Sequence, residues 1–420
     1  MRMLCSESRK LYGFMAPPAP AIFVDRSLVP GAVTEEVKRF VATRTMTPTP
    51  EVAADRRHLA DYLHRVTVVP HEVRHFHDML ATTIGNHNFY ASTALALNMF
   101  TGLCALIVRD GRNVISLPLP YWSVEVSTCP DVQDLERKVL KLYEASALLA
   151  QHAYVAMGVE GDSIHELTRS FLRTPPYGEI LSSLNAMLAR IDPEPEVLHD
   201  IGLLLLATMC EEPGRPLENR DDAFLLRLQT WAELDGRIAR QDLRRTAEHM
   251  WERGRRGLLN VEASVAPWRK RIEELLKAHP AETGEIVRSM MAEFDAHAHE
   301  MQRRLLDDPM VYADHGRYAQ QDWVMPLVYS VTADTAPELA KPTPGLRFID
   351  RDLSNTFIYG LAAARNLPFT ITQSHERLWF RCWLLVQEDR FGVRFVLKEG
   401  NDEYERLRSQ LASRSTSDLG

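Results

Sequence analysis

The run PHEVRHFH, from Pro70 to His77, carries His71, Glu72 and His75 in the order His-Glu-x-x-His. On an α-helix, residues four apart lie one turn apart on the same face, so both imidazoles can address one divalent cation. Glu72, beside the first histidine, is then placed to take a proton from a water held by that cation. The chemistry this implies is metal-assisted hydrolysis on Zn2+. Fe2+ is the alternative, because two histidines and a carboxylate also form the facial triad of iron oxygenases.

Two imidazoles are too few, and a third protein donor is expected. The extended pattern HExxHxxGxxH is excluded, since its eighth and eleventh positions are Asp78 and Ala81. Asp78 shares the face of His71 and His75, but seven residues of helix span about 10 Å. It is therefore expected to hydrogen-bond a ligand imidazole from behind. Glu144 is the stronger third ligand. It stands in LKLYEASALLAQ, where residues 142–150 are apolar or small almost all round. A carboxylate buried there costs several kcal/mol unless a cation or metal pairs with it. Arg137 or Lys141 could supply a plain buried salt bridge instead. Gln151, on the same helix face, is expected to orient the carboxylate or touch substrate, and His152 is a core or a functional histidine. His77 and His87 are close enough in sequence to close the site with a fourth ligand and make it structural.

His71, Glu72, His75 and Glu144 together resemble the gluzincin branch of the zincin metallopeptidases, in which a glutamate on a later helix completes the zinc shell. The resemblance covers the motif helix and the Asp131–Met157 segment, and suggests an uncharacterised bacterial subgroup. It implies a zinc-dependent hydrolase acting on a peptide or protein, with Glu72 as general base and a water lowered towards a pKa of ~7. It also requires a donor to the oxyanion. His315 and Tyr318, in VYADHGRY, are the candidates, with Tyr312 nearby.

Two other readings use different residues. Glu72-x-x-His75 and Glu196-x-x-His199 are both ExxH pairs, and Glu36 and Glu160 precede them at matching distances; such a set builds a di-iron oxidase site. Alternatively, the charged region 221–306 is a protein-interaction module on a catalytically idle scaffold. HAHE at 297–300 is not a metal site on a helix, because its histidines are two apart and do not share a face.

These residues must be held by helices. Residues 51–65 read as a helix that ends before the β-branched VTVV, and Pro70 then opens the motif helix, a position that tolerates proline. That helix is expected to reach Thr83, with a turn at IGN (84–86) and a second helix over Phe89–Leu106. Further helices are expected over Asp131–Met157, around Ile201–Met209, and over Asp221–Leu306 with breaks near Pro267 and Pro280. A strand pair follows Asp110-Gly111, and a hairpin spans 378–397. The fold class is mainly α with small β elements (α+β). Four parts are expected: a loop-rich extension (1–50), a helical metal-binding core (51–215), a charged helical bundle or hairpin (216–310), and an α+β segment with a polar tail (311–420).

Composition excludes several classes. With 49 basic and 57 acidic residues the net charge is −8, so no general attraction to nucleic acid or an anionic membrane is expected. Five scattered cysteines without a CxxC pair argue against a disulfide framework and a cysteine zinc site. The N-terminus lacks a signal-peptide pattern and no apolar run is long enough to span a bilayer, so a cytoplasmic location is expected.

Overall fold

The computed structural model describes residues 48–94, 142–151, 195–211, 236–277 and 281–324, several short strands, and a few isolated positions. The described chain is mainly helical. Glu36, Arg137, Lys141, His152, Glu160 and the side chain of Glu196 lie outside the described residues.

The motif helix is a single element of 26 residues, Arg56–Ala81, with Pro70 inside it. The sequence expectation of a break at VTVV is therefore corrected. Val66, Val68, Val69 and Val73 are all buried. Burying each is worth about 1.5–3 kcal/mol, several times the few tenths that a β-branched residue costs a helix. Pro70 removes one intrahelical bond, a larger cost of about 3 kcal/mol, which the surrounding burial also offsets. Asp55 starts the helix, its Oδ1 accepting from the His58 amide at 3.0 Å.

Helix resumes at residue 83 and runs through the IGN segment to residue 94, so the turn expected at 84–86 is instead a tight joint centred on Thr82. A Cβ at Gly85 would fall 2.4 Å from both the Asp78 carbonyl oxygen and Met79 Cα, which only glycine avoids. Asn86 closes the joint by donating from Nδ2 to the carbonyls of Met79 and Leu80, each at 2.9 Å. These bonds satisfy acceptors that the end of the motif helix leaves open.

Residues 142–151 form a helix whose Ala145, Ser146, Ala147 and Ala150 are buried. It lies against the motif helix, where Ser146 Oγ accepts from Arg74 Nε at 3.0 Å. The apolar helix Pro195–Cys210 is buried from Ile201 onward and packs along Gly236–Leu259. Thr83 ties it to the joint by donating to the Cys210 carbonyl at 2.7 Å.

The charged region forms helices Gly236–Leu259, Val261–Leu276 and Ala281–Asp307. The break expected near Pro267 falls instead at Asn260, and Pro267 lies within the second of these helices. Their apolar faces belong to the same core as the motif helix. Phe294 stacks on Phe89 with ring centroids 3.7 Å apart, and Tyr90 donates to Asp295 at 2.5 Å. Gln302 reaches the joint itself, donating to Asn86 Oδ1 at 3.1 Å. The third helix of the charged region thus buttresses the far end of the motif helix.

Short strands pair in two groups of four. One joins Gly13–Ala16, Ala21–Asp25, Leu327–Thr332 and Arg347–Asp352; the other joins Val114–Pro118, Gly392–Leu397, Leu384–Asp389 and Thr356–Ile358. Val114–Pro118, expected to pair locally, runs antiparallel to the distant Gly392–Leu397. Among the described residues, no helix is long and apolar enough to cross a membrane.

Candidate metal centre

His71 and His75 project from one face of the motif helix toward Glu144 on the helix of residues 142–151. Their Nε2 atoms stand 3.2 Å apart. Glu144 turns one oxygen to each ring, Oε2 at 3.3 Å from His71 and Oε1 at 3.6 Å from His75. The side chains of His71, His75 and Glu144 are 13%, 11% and 10% exposed, so the cluster is nearly buried. Among the described residues this is the one group of three or more metal-binding side chains close enough to share an ion.

The electrostatics fit a site that holds charge in a dry place. Burial alone would push the Glu144 carboxyl up, but the charge on His75 and the close approach of both imidazoles bring it down to about 2. Burial disfavours a charged His75, yet Glu144 outweighs it, and the His75 pKa lies above its ordinary value. A divalent cation would take the place of that imidazolium proton.

Glu72, next to His71 in the chain, is buried. Its helix position is about 100° from His71 and about 60° from His75, on the flank of the cluster. Gln151 is at the site in a different role from the one expected. Its Oε1 lies 3.1 Å from His71 Nδ1, so it orients an imidazole and not the carboxylate.

Asp78 also departs from expectation, because it hydrogen-bonds no ligand imidazole. Its Oδ1 accepts from Arg74 Nε at 3.2 Å, from the Tyr312 hydroxyl at 2.7 Å and from Ser146 Oγ at 3.3 Å. Burial raises the Asp78 pKa, and its influence on His75 is the through-space pull of a negative charge. The Arg74 guanidinium is held between two rings, 3.7 Å from the Tyr312 centroid and 4.3 Å from that of Tyr318. Sequence reasoning missed Arg74 and Ser146. The signal for Arg74 was its i to i+4 spacing to Asp78, a charge pair on one stripe of the motif helix.

The oxyanion donors proposed from sequence are engaged elsewhere. His77 Nε2 meets the Val324 carbonyl at 2.7 Å, which only accepts, so the ring proton sits there. In a neutral ring His77 Nδ1 then accepts from the Tyr318 hydroxyl at 2.6 Å. His77 is two residues past His75, hence on the opposite face of the helix. Tyr318 follows it there, and the Tyr312 hydroxyl donates its hydrogen bond to Asp78. His315 is buried against the helix Pro195–Cys210 at Gly202. Neither His77 nor His87, whose Nε2 accepts from Trp268 at 3.1 Å, joins the cluster of His71, His75 and Glu144. From the di-iron set, His199 Nε2 faces Asp314 Oδ2 at 3.3 Å. His297 of HAHE is half-buried, with its pKa lowered by that burial.

No family model matches the chain, and no curated protein or solved structure matches it.

Proposed function

We propose that the chain is a zinc-dependent hydrolase, of the metallopeptidase kind, with His71, His75 and Glu144 as metal ligands and Glu72 as general base. One observation carries the reading. A tetrahedral zinc with bonds of about 2.0–2.1 Å sets its donors about 3.3–3.4 Å apart. The two Nε2 atoms stand 3.2 Å apart, Glu144 Oε2 lies 3.3 Å from His71 and Oε1 3.6 Å from His75. One donor atom from each residue falls within 4.8 Å of the others, so small side-chain adjustments would bring the three to the spacing an ion requires.

Zinc, when bound, would lower the pKa of a coordinated water and polarise a carbonyl. Among the described residues three protein donors converge, which would leave one position to water or substrate, the pattern of catalytic and not structural zinc. Glu72, flanking the ligands, would accept the proton of the attacking water and hand it to the leaving amine. His71, His75 and Glu144 hold their geometry throughout, and the near-complete burial strengthens every charge interaction among them.

The same donor set also serves ferrous iron, which would shift the chemistry to oxygenation. Elemental analysis of the purified full chain separates the cases. About one zinc per chain is expected, lost in His71→Ala and Glu144→Ala and retained in His199→Ala. One iron would replace hydrolysis by the facial-triad reading. About two irons, sensitive to His199→Ala and tolerant of His71→Ala, would favour the di-iron alternative. No metal, together with function unaffected by Glu72→Gln, would leave the interaction scaffold, with residues 221–306 as its partner surface.

A further inference from the structure

We propose that Thr67 and Gln151 are positioning residues for the metal centre: a directed chain of hydrogen bonds running back to the Leu63 carbonyl fixes His71 as its Nδ1–H tautomer. The inference rests on the metal-centre reading and extends it to residues that touch no metal.

The direction of the chain follows from its last link. A backbone carbonyl only accepts, so Thr67 Oγ1, 2.6 Å from the Leu63 oxygen, spends its one proton there. Toward Gln151 the hydroxyl can then only accept, and Gln151 Nε2 donates to it at 2.6 Å. That contact fixes which way the amide faces. With Nε2 held by Thr67, Oε1 is left facing His71 Nδ1 at 3.1 Å. An amide oxygen accepts, so the imidazole must donate from Nδ1. A neutral ring carries one N–H, and Nε2 therefore presents a bare lone pair toward His75 and Glu144. A flipped amide would set its oxygen against a hydroxyl whose proton is already used.

Thr67 and Gln151 are 0% and 1% exposed, so water does not compete for these bonds. The amide also sets the tautomer without adding a second negative charge beside Glu144. Thr67, His71 and His75 recur at intervals of four along one stripe of the motif helix. The relay therefore exists only because the helix runs unbroken through VTVVP.

The test uses zinc and the full-length protein. Affinity is measured by competition with a chromophoric chelator for wild type, Thr67→Val, Thr67→Ser and Gln151→Leu. Thr67→Val keeps the size and removes the acceptor, and Gln151→Leu removes the link. Each is expected to weaken zinc by about 10–100-fold, the usual effect of losing a partner behind a ligand. Thr67→Ser keeps the hydroxyl and is expected to keep the affinity. In zinc-loaded wild type, 15N-histidine NMR should show His71 protonated at Nδ1, with slow exchange, and metallated at Nε2. This spectrum decides the matter even if a variant does not fold. Wild-type affinity in both Thr67→Val and Gln151→Leu, or zinc on Nδ1 of His71, overturns the relay while the metal centre stands. Absence of zinc binding in wild type overturns the metal centre and the relay together.

Discussion

Arg74 and Asp78, one helical turn apart, form an ion pair at 3.2 Å in which the side chains are 2% and 0% exposed. The pair lies on the motif helix between the face of His71 and His75 and the face that carries His77. Tyr312 and Ser146 complete its hydrogen bonds, so segments far apart in sequence meet at one buried charge pair. Removing one partner leaves the other charged and uncompensated. Asp78→Ala is expected to cost about 3–5 kcal/mol, the usual effect of breaking a buried pair. Asp78→Asn, which still accepts from Arg74 and Tyr312, should cost less. Urea unfolding of the metal-free protein measures both. Equal, small losses in the two variants would show that Asp78 carries no such role.

Gly85 is expected to resist any side chain. Its Cβ would press on the Asp78 carbonyl and Met79 Cα, neither of which can rotate away. Gly85→Ala should destabilise by about 1–3 kcal/mol, the typical cost of overpacking. Thermal unfolding checks this, and an unchanged Tm would mean that the joint at Thr82 is free to open.

Glu72→Gln should keep the metal and lose turnover. A positioned general base contributes about 10²–10⁴-fold to rate, so kcat against a peptide-library substrate is expected to fall by that factor. Metal content measured in parallel should be unchanged. A fully active Glu72→Gln protein with zinc in place would remove Glu72 from the mechanism.

The metal-free protein should have a stability that depends on pH from both sides. Glu144 is depressed from 4.5 to about 2, so its contribution is present above 4.5 and is lost as pH falls toward 2. His75 is raised above 6.5, so its contribution is present below 6.5 and is lost as pH rises through the higher value. Maximal contribution from the pair falls between these limits. Zinc requires the unprotonated ring, so its affinity should climb as pH rises through the His75 pKa. Thermal unfolding and chelator competition across pH 3–9 measure the two trends. A zinc affinity independent of pH over that range would contradict a ligand role for His75.

The sequence by itself singled out the three residues of the candidate centre. The one-turn spacing of His71 and His75 and the apolar surroundings of Glu144 pointed to residues that do converge. Helix is a local, periodic pattern, and a lone carboxylate in an apolar stretch demands a partner wherever the chain goes. The apolar run Ile201–Met209 was legible as a buried helix for the same reason.

Tertiary structure alone decided the rest. VTVVP read as a helix break because local propensity opposes helix there, and burial of four valines outweighed it. That continuity placed Thr67 one turn before His71, where sequence had no reason to look. Asp78 turned to Arg74, and Tyr318 to His77, because the partners that satisfy buried polar groups come from segments far away in the chain. Spacing along one helix specifies which side chains share a face. Which distant group meets each of them is settled only when the helices pack.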